Sequence, residues 1–148
     1  MTPPYNTLVV VDDNAAILTA LKICLAGEFE RMVTLTSPDH LIETLEKEDA
    51  VDAVLLDMNF SLGINTGQDG LFWLRTIKKY HPHTPVILIT AYADVQLAVK
   101  GLKYGAADFV TKPWDNDRLI GALHEAIDKN RQVLPLEQMN QSRYRIIL

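Results

Sequence analysis

The 148-residue sequence has a single cysteine, Cys24, which has no second cysteine to pair with inside the chain. A chain without disulfides is typical of a reducing compartment. No apolar run approaches the roughly 18 residues that a membrane-spanning helix needs. Residues 1–6, MTPPYN, have neither the basic nor the hydrophobic region of a secretory signal peptide. We therefore expect a cytoplasmic protein without a membrane partner.

An excess of basic residues is also lacking, since the net charge is −5. This balance argues against a chain that binds nucleic acid directly through a broad positive surface. The glycines at positions 63, 67 and 70 are not followed by Lys-Ser or Lys-Thr, so they do not form a nucleotide-binding P-loop. Hydrophobic residues make up 48% of the chain, which is enough for the core of one globular domain.

The chain does contain five short apolar segments that alternate with five helical patterns. In the segment 51–57 the apolar run is continuous rather than alternating, which is typical of a strand buried on both faces. The five segments lie at residues 8–11, 31–36, 51–57, 86–89 and 108–110. Apolar residues at helical spacing follow each of them, with candidate helix caps such as Asn14, Ser37 and Asp115. The alternation predicts a parallel sheet covered by helices on both faces, a three-layer α/β domain.

The domain predicted from this pattern spans residues 7–130. Two prolines and an asparagine disfavour regular structure in residues 1–6, so we expect a disordered lead there. Residues 131–148 fall outside the alternation and are too short for a second domain. We expect them to form a linker or an extension of the last helix.

Polar residues stand where the predicted strands end. They are Asp12, Asp13, Asp57, Thr90 and Lys112. The carboxyl ends of parallel strands share one edge of a sheet, so these side chains should meet in one crevice. Three neighbouring carboxylates repel one another, and a hard divalent cation such as Mg²⁺ is the usual compensation. A lysine and a hydroxyl beside them suit an anionic phosphoryl group.

Each of these residues also has a plainer interpretation when it is taken alone. Asp12 and Asp13 could be a helix cap and a turn residue, Thr90 a strand-end hydroxyl, and Lys112 a solvated surface charge. For the plainer interpretation to be correct, all of these separate explanations would have to be true at once, and each would have to fall at a strand end by coincidence. That is the weaker account. We therefore favour a single site.

Four motifs carry a resemblance to a known family. They are LVVVDD at 8–13, VLLD at 54–57, ILITAY at 87–92 and GAADFVTKP at 105–113. As an ordered set they resemble the response-regulator receiver domain of bacterial two-component systems, over about residues 6–130. The resemblance implies a flavodoxin-like, doubly wound (βα)5 fold with a five-stranded parallel sheet of order 2-1-3-4-5.

The resemblance also implies a role for each site residue. Asp57 matches the phosphoacceptor, which takes a phosphoryl group from a sensor histidine kinase. Lys112 matches the residue that pairs with the phosphoryl oxygens, and its bond to Pro113 is expected to be cis. The implied Mg²⁺ ligands are Asp12, Asp13, Asp57 and the backbone carbonyl of Asn59. The implied switch residues are Thr90, Phe109 and Tyr92, of which Thr90 also contacts the phosphoryl group.

These roles imply a phosphorylation-activated signalling module, not an enzyme with a separate substrate, although such a domain catalyses its own phosphotransfer and can catalyse its own dephosphorylation. The face formed by the fourth helix, fifth strand and fifth helix would switch and pair with a second copy. Residues 92–114 resemble receivers of σ54-dependent transcriptional activators, which implies a transcriptional output. One departure is the loop after Asp57, which lacks the family's Met-Pro pair and is several residues longer.

Two other classes of protein remain as alternatives. A pseudo-receiver, which binds a partner without taking phosphate, is disfavoured by the complete set of site residues. A flavin-binding or phosphatase domain of the same fold is disfavoured by two further details. Asp12 and Asp13 stand where a phosphate-binding loop would be needed, and position 59 is Asn rather than the Asp of a haloacid-dehalogenase-type phosphatase.

Overall fold

The computed structural model describes residues 2–58 and 68–132. The strands are β1 (Tyr5–Val11), β2 (Phe29–Leu35), β3 (Val51–Asp57), β4 (Val86–Ala91) and β5 (Asp108–Lys112). The helices are α1 (Ala15–Cys24), α2 (Leu41–Lys47), α3 (Gln68–Tyr80), α4 (Val95–Lys103) and α5 (Asn116–Gln132). Short 3₁₀ turns lead into α2 at Pro38–His40 and into α4 at Tyr92–Asp94.

All five strands are parallel and lie in the order β2-β1-β3-β4-β5. This confirms the doubly wound α/β fold that the sequence predicts. The order puts β3 at the centre, between β1 and β4. In the register of the sheet, Val11 lies opposite Leu56 and Asp57 lies opposite Ile89. The chain therefore leaves β1, β3 and β4 at nearly the same height.

The core has one apolar layer on each face of the sheet, because successive side chains of a strand point to opposite faces. On one face Leu55 packs in a cluster with side chains of α1 and α5, such as Leu21 and Leu123. On the other face Val54 and Leu56 pack in a cluster with side chains of α2 and α3. Both faces of β3 are buried, which explains why its sequence is continuously apolar instead of alternating.

The predicted disordered lead is wrong for its last two residues. Strand β1 begins at Tyr5, whose side chain is only 4% exposed. Its hydroxyl donates to Asp128 at 2.8 Å, and its ring packs 5.6 Å from the ring of Phe29. The backbone N–H of Asn6 donates to Asp52 at 2.7 Å. These partners are distant in sequence, so local preference for disorder is overridden by tertiary contacts.

At the other end, α5 continues through Arg131 and Gln132. The rest of the predicted linker or helix extension, 133–148, lies outside the described residues. Within the described part of the chain, every helix is either too short or too polar to cross a bilayer.

Gly70, in the first turn of α3, lies against the chain just beyond β3. Its N–H donates to the carbonyl of Met58 at 3.1 Å. A Cβ at this position would lie 2.6 Å from the Cα of Met58, which is backbone and cannot swing away. Glycine is therefore required here by close approach, and this contact fixes α3 to the residue that follows Asp57.

We predict opposite effects for two glycine-to-alanine substitutions. Gly70→Ala should lower the free energy of unfolding by about 1–3 kcal/mol or more, because the methyl group overpacks against backbone. Gly121→Ala, within α5 where a Cβ would meet nothing within 4 Å, should raise it by about 0.5–1 kcal/mol through helix propensity. Urea denaturation of both variants measures the difference. Equal effects of the two substitutions would contradict the close packing at Gly70.

Candidate functional site

Three carboxylates lie together at the carboxyl edge of the sheet. Asp57 ends β3, and Asp12 and Asp13 directly follow β1. Each offers an oxygen, and these oxygens all lie within 4.8 Å of one another. Asp12 is 1% exposed and Asp57 is 4% exposed, whereas Asp13 faces solvent. The predicted convergence of these residues is therefore present in the structure.

The ammonium group of Lys112 lies against two of these carboxylates. Lys112 Nζ is 2.9 Å from Asp12 Oδ2 and 3.1 Å from Asp57 Oδ1. Burial alone would lower the pKa of Lys112, but the charges of Asp57 and Asp12 outweigh burial and raise it. The lysine thus stays charged and compensates part of the repulsion among the carboxylates. Its bond to Pro113 is cis, as expected.

The arrangement of oxygens is suited to a hard cation. Asp12 Oδ1 accepts a hydrogen bond from the backbone N–H of Asn14 at 2.9 Å. Asp12 Oδ2 is buried and close to Lys112 Nζ, but it receives no well-aligned hydrogen bond from the described residues. A buried carboxylate oxygen with an unused lone pair is a ready ligand, and Mg²⁺ prefers carboxylate oxygens. Asp12, Asp13 and Asp57 therefore fit a divalent metal ion by both charge and donor type.

The structure places the remaining predicted residues around this cluster. Thr90 is fully buried in β4 and directly follows Ile89, the residue opposite Asp57 in the sheet. Its hydroxyl donates to the carbonyl of Ala91 at 3.3 Å. Phe109 is half-buried in β5 and packs against the apolar layer of α2 and α3. Tyr92, in the turn before α4, is 81% exposed. Asn59 lies outside the described residues.

Sequence reasoning missed the part that two residues play in shaping the site. The sequence predicts Asn14 only as a candidate cap, and its side chain does accept from the N–H groups of Ala16 and Ile17. Its own N–H also orients Asp12, so one residue joins the start of α1 to the carboxylate cluster. In the sequence, Gly70 is notable only as one glycine of a possible phosphate cradle. Its actual role is close contact with the backbone of Met58. The residues next to Gly70 in the sequence do not indicate this contact.

The comparisons with known proteins agree with this geometry. The family model for the response regulator receiver domain matches residues 8–124. The chain belongs to this family. Among curated proteins, the DNA-binding transcriptional regulator NtrC of Escherichia coli K12 is 35% identical over 118 residues, which is 80% of this chain and 24% of NtrC. The transcriptional regulatory protein ZraR of Klebsiella oxytoca is 35% identical over 124 residues, 84% of this chain and 27% of ZraR.

Solved receiver structures are similar along most of the chain. The N-terminal signal receiver domain of a two-component response regulator from Bacteroides fragilis matches with a TM-score of 0.75 at 47% identity, covering 83% of this chain and 97% of that domain. The receiver domain of NtrX from Brucella abortus matches with a TM-score of 0.72 at 30% identity, covering 82% of this chain and 98% of that domain. The chain thus matches whole receiver domains but spans only about a quarter of the curated regulators.

We predict that Mg²⁺ stabilises the fold through this cluster. At free Mg²⁺ near ten times its dissociation constant, the free energy of unfolding should rise by about 1.4 kcal/mol. Asp13→Asn should remove most of this gain. In EDTA, Asp13→Asn should leave stability equal or slightly higher, because it removes one of three repelling charges. Thermal melts with EDTA and with MgCl₂ measure both effects.

The matched control for this experiment is Asp49→Asn. Asp49 is an exposed carboxylate just before β3, at the opposite edge of the sheet. This substitution makes the same change in net charge and should retain the full response to Mg²⁺. Equal responses of Asp13→Asn and wild type would argue against metal binding at the cluster.

A second prediction concerns pH. The raised pKa of Lys112 means that its contribution to stability is fully present below the ordinary lysine pKa of 10.5 and is lost as pH rises through the higher folded value. In EDTA, Lys112→Met should therefore lower the free energy of unfolding by about 2 kcal/mol at neutral pH. This loss is smaller than that of breaking a fully buried ion pair, because the Lys112 side chain is partly exposed. The difference from wild type should shrink above pH 10.5.

Urea denaturation at several pH values measures this difference. Lys22→Met, which removes an exposed lysine of α1, is the control and should change stability little at any pH. Tyr5, whose pKa is raised to about 12, chiefly by burial and then by Asp128, also titrates in alkali. Because it is present in both proteins, its contribution cancels. A difference that stays constant into alkali would refute the ion-pair explanation.

Proposed function

We propose that this receiver domain accepts a phosphoryl group on Asp57 from a sensor histidine kinase and thereby switches an output, which is transcription. The observation that carries this proposal is the position of Asp57. It is buried at the end of the central strand, with Lys112 Nζ 3.1 Å from its carboxylate and Asp12 and Asp13 beside it. A nucleophile, a fixed cation and metal ligands therefore converge on one point.

In the proposed reaction, a carboxylate oxygen of Asp57 attacks the phosphorus of a phosphohistidine. A bond between that oxygen and phosphorus forms as the bond between phosphorus and the imidazole nitrogen breaks, and the imidazole leaves. Bound Mg²⁺ would neutralise charge on the phosphoryl oxygens during transfer. Asp12 and Asp13 would hold this ion, together with Asp57 and the carbonyl of Asn59. Lys112 would bind a phosphoryl oxygen. Its ammonium group would then exchange its ion pairs with Asp12 and Asp57 for one with the phosphoryl group.

Thr90 is suited to report the change. Its hydroxyl is buried and makes a long hydrogen bond, 3.3 Å, to the carbonyl of the next residue, which costs little to break. An acyl phosphate at Asp57 would offer strong acceptor oxygens to that hydroxyl. We propose that Thr90 turns toward them, that Phe109 turns inward into the space released, and that exposed Tyr92 shifts with the turn before α4.

The partners follow from the same proposal. A sensor histidine kinase would supply the phosphoryl group, and the face formed by α4, β5 and α5 would bind a second copy of the domain. The relatives named as transcriptional regulators support a transcriptional output. The resemblance of residues 92–114 to receivers of σ54-dependent activators supports that subfamily. Hydrolysis of the acyl phosphate by water would return the domain to its resting state.

Incubation with acetyl phosphate and MgCl₂, followed by intact mass spectrometry, tests the proposal. We expect a phosphoryl adduct on the wild-type chain that EDTA prevents and that Asp57→Asn abolishes. Asp52→Asn is the matched control, because Asp52 lies near the start of the same strand and forms an ion pair with Arg131 at 3.1 Å, away from the site. This variant should still take the adduct.

The other outcomes are equally decisive. An adduct that persists in Asp57→Asn would show that another residue is the acceptor. If neither an adduct nor a spectral response to beryllofluoride with Mg²⁺ occurs, the domain is a phosphate-independent pseudo-receiver. Light scattering of the same beryllofluoride sample tests the dimer; an unchanged monomer would count against pairing through the α4, β5 and α5 face.

A further inference from the structure

Charge is unevenly distributed along this acidic chain. Between Gln68 and Ala107, the segment that contains α3 and α4, there are five Lys or Arg residues and two Asp, a net charge of 5 − 2 = +3. The whole chain has 14 Lys or Arg and 19 Asp or Glu, so the remainder has a net charge of −5 − 3 = −8. One side of the domain is therefore basic while the rest is acidic.

The basic residues of α3 and α4 line a groove between these two helices. Phe72, Arg75 and Lys79 follow one another along α3, at the spacing of a helix face. Lys100 and Tyr104 form the opposite wall. The Arg75 guanidinium stacks 4.9 Å from the centre of the Tyr104 ring, and Lys100 Nζ lies 6.0 Å from it. The side chain of Phe72 is 60% exposed. We call this surface the α3–α4 groove.

The cations of the α3–α4 groove take part in none of the ion pairs found in the described part of the chain. Those pairs involve other Lys, Arg and His residues, and among the residues that the structure describes none includes Arg75, Lys79 or Lys100. The stretches whose side chains are not described add two acidic residues. Residues 59–69 contain one charged residue, Asp69, and residues 133–148 contain Arg143 and Arg145 against a single Glu137. Over residues 68–107 as a whole, the basic residues still outnumber the acidic ones by five to two.

We propose that the α3–α4 groove binds an acidic polypeptide segment that carries an apolar or aromatic residue. The cations provide charge complementarity, and the exposed Phe72 and Tyr104 provide an apolar surface for that residue. This inference goes beyond the phosphorylation of Asp57 and does not depend on it.

The shape of the groove favours a polypeptide over other anions. Phe72 and Lys79 are separated by seven residues of helix, about 10 Å, so the charges form a stripe instead of converging on one phosphate. A long nucleic acid would extend over the acidic remainder of the domain and be repelled. A short segment with spaced carboxylates contacts the stripe alone, as an amphipathic helix does in a groove.

Fluorescence anisotropy with labelled synthetic peptides tests this proposal, without a phosphoryl donor. The peptides differ in the number and spacing of Glu residues around a Phe or Leu, and each has a control peptide with Gln in place of Glu. We expect binding of acidic peptides that the double variant Arg75→Glu, Lys100→Glu weakens by about tenfold or more. Raising NaCl from about 0.1 M to about 1 M should weaken it as well, because the Debye length falls to about 3 Å.

The matched control is Lys22→Glu, Lys129→Glu, which makes the same change of charge at exposed lysines of α1 and α5 and should bind as wild type does. The milder variant Arg75→Gln, Lys100→Gln should give an intermediate loss, and thermal melts establish that every variant folds. Amide NMR shifts of the wild-type chain should be confined to α3 and α4.

Several results would overturn the proposal. They are failure of every acidic peptide to bind, equal binding of the Gln peptides, and shifts that map outside α3 and α4. Displacement of a bound peptide by equimolar pyrophosphate would assign the groove to a small anion instead. Self-association that Arg75→Glu, Lys100→Glu abolishes would assign it to a second copy of this chain.

Discussion

The repulsion among Asp12, Asp13 and Asp57 is the constraint on which the rest of the site depends. Two unit charges about 4 Å apart cost roughly 4 kcal/mol at an effective dielectric near 20. Lys112 contacts only two of the three carboxylates, so one positive charge opposes three negative ones. The folded domain therefore holds a site whose energy falls when a cation is added.

The order of the strands is what brings Lys112 to Asp57. Lys112 ends β5, and β4 separates β5 from β3 in the sheet. Neighbouring strands are about 4.8 Å apart, so the lysine side chain must extend over the end of β4 to reach the carboxylate. The register places Ala91 beside Lys112 and Thr90 one residue earlier. The buried Thr90 hydroxyl thus lies on the strand that the ion pair spans, which is why it is suited to respond to a change at Asp57.

The sequence alone predicts much of this arrangement because buried parallel strands leave a strong local signal. Continuous apolarity in β3 follows from burial on both faces, and a charge at its end marks the edge of the sheet. Tyr5 and Gly70 show where that reasoning stops. Tyr5 is ordered by Asp128, 123 positions away, and Gly70 is required by the backbone of Met58. Neither contact has a periodic or compositional signal, since both depend on how distant segments pack.

The same packing connects the site to the α3–α4 groove. Met58 follows Asp57 directly, and its carbonyl accepts from the Gly70 N–H at 3.1 Å, with no room for a side chain between them. At the far wall, a Cβ on Gly101 of α4 would lie 2.4 Å from the side chain of Leu88 in β4. Both helices are thus seated closely on the strands that bear Asp57 and Thr90. The two walls of the α3–α4 groove are therefore positioned by the same strands and strand ends that position Asp57 and Thr90.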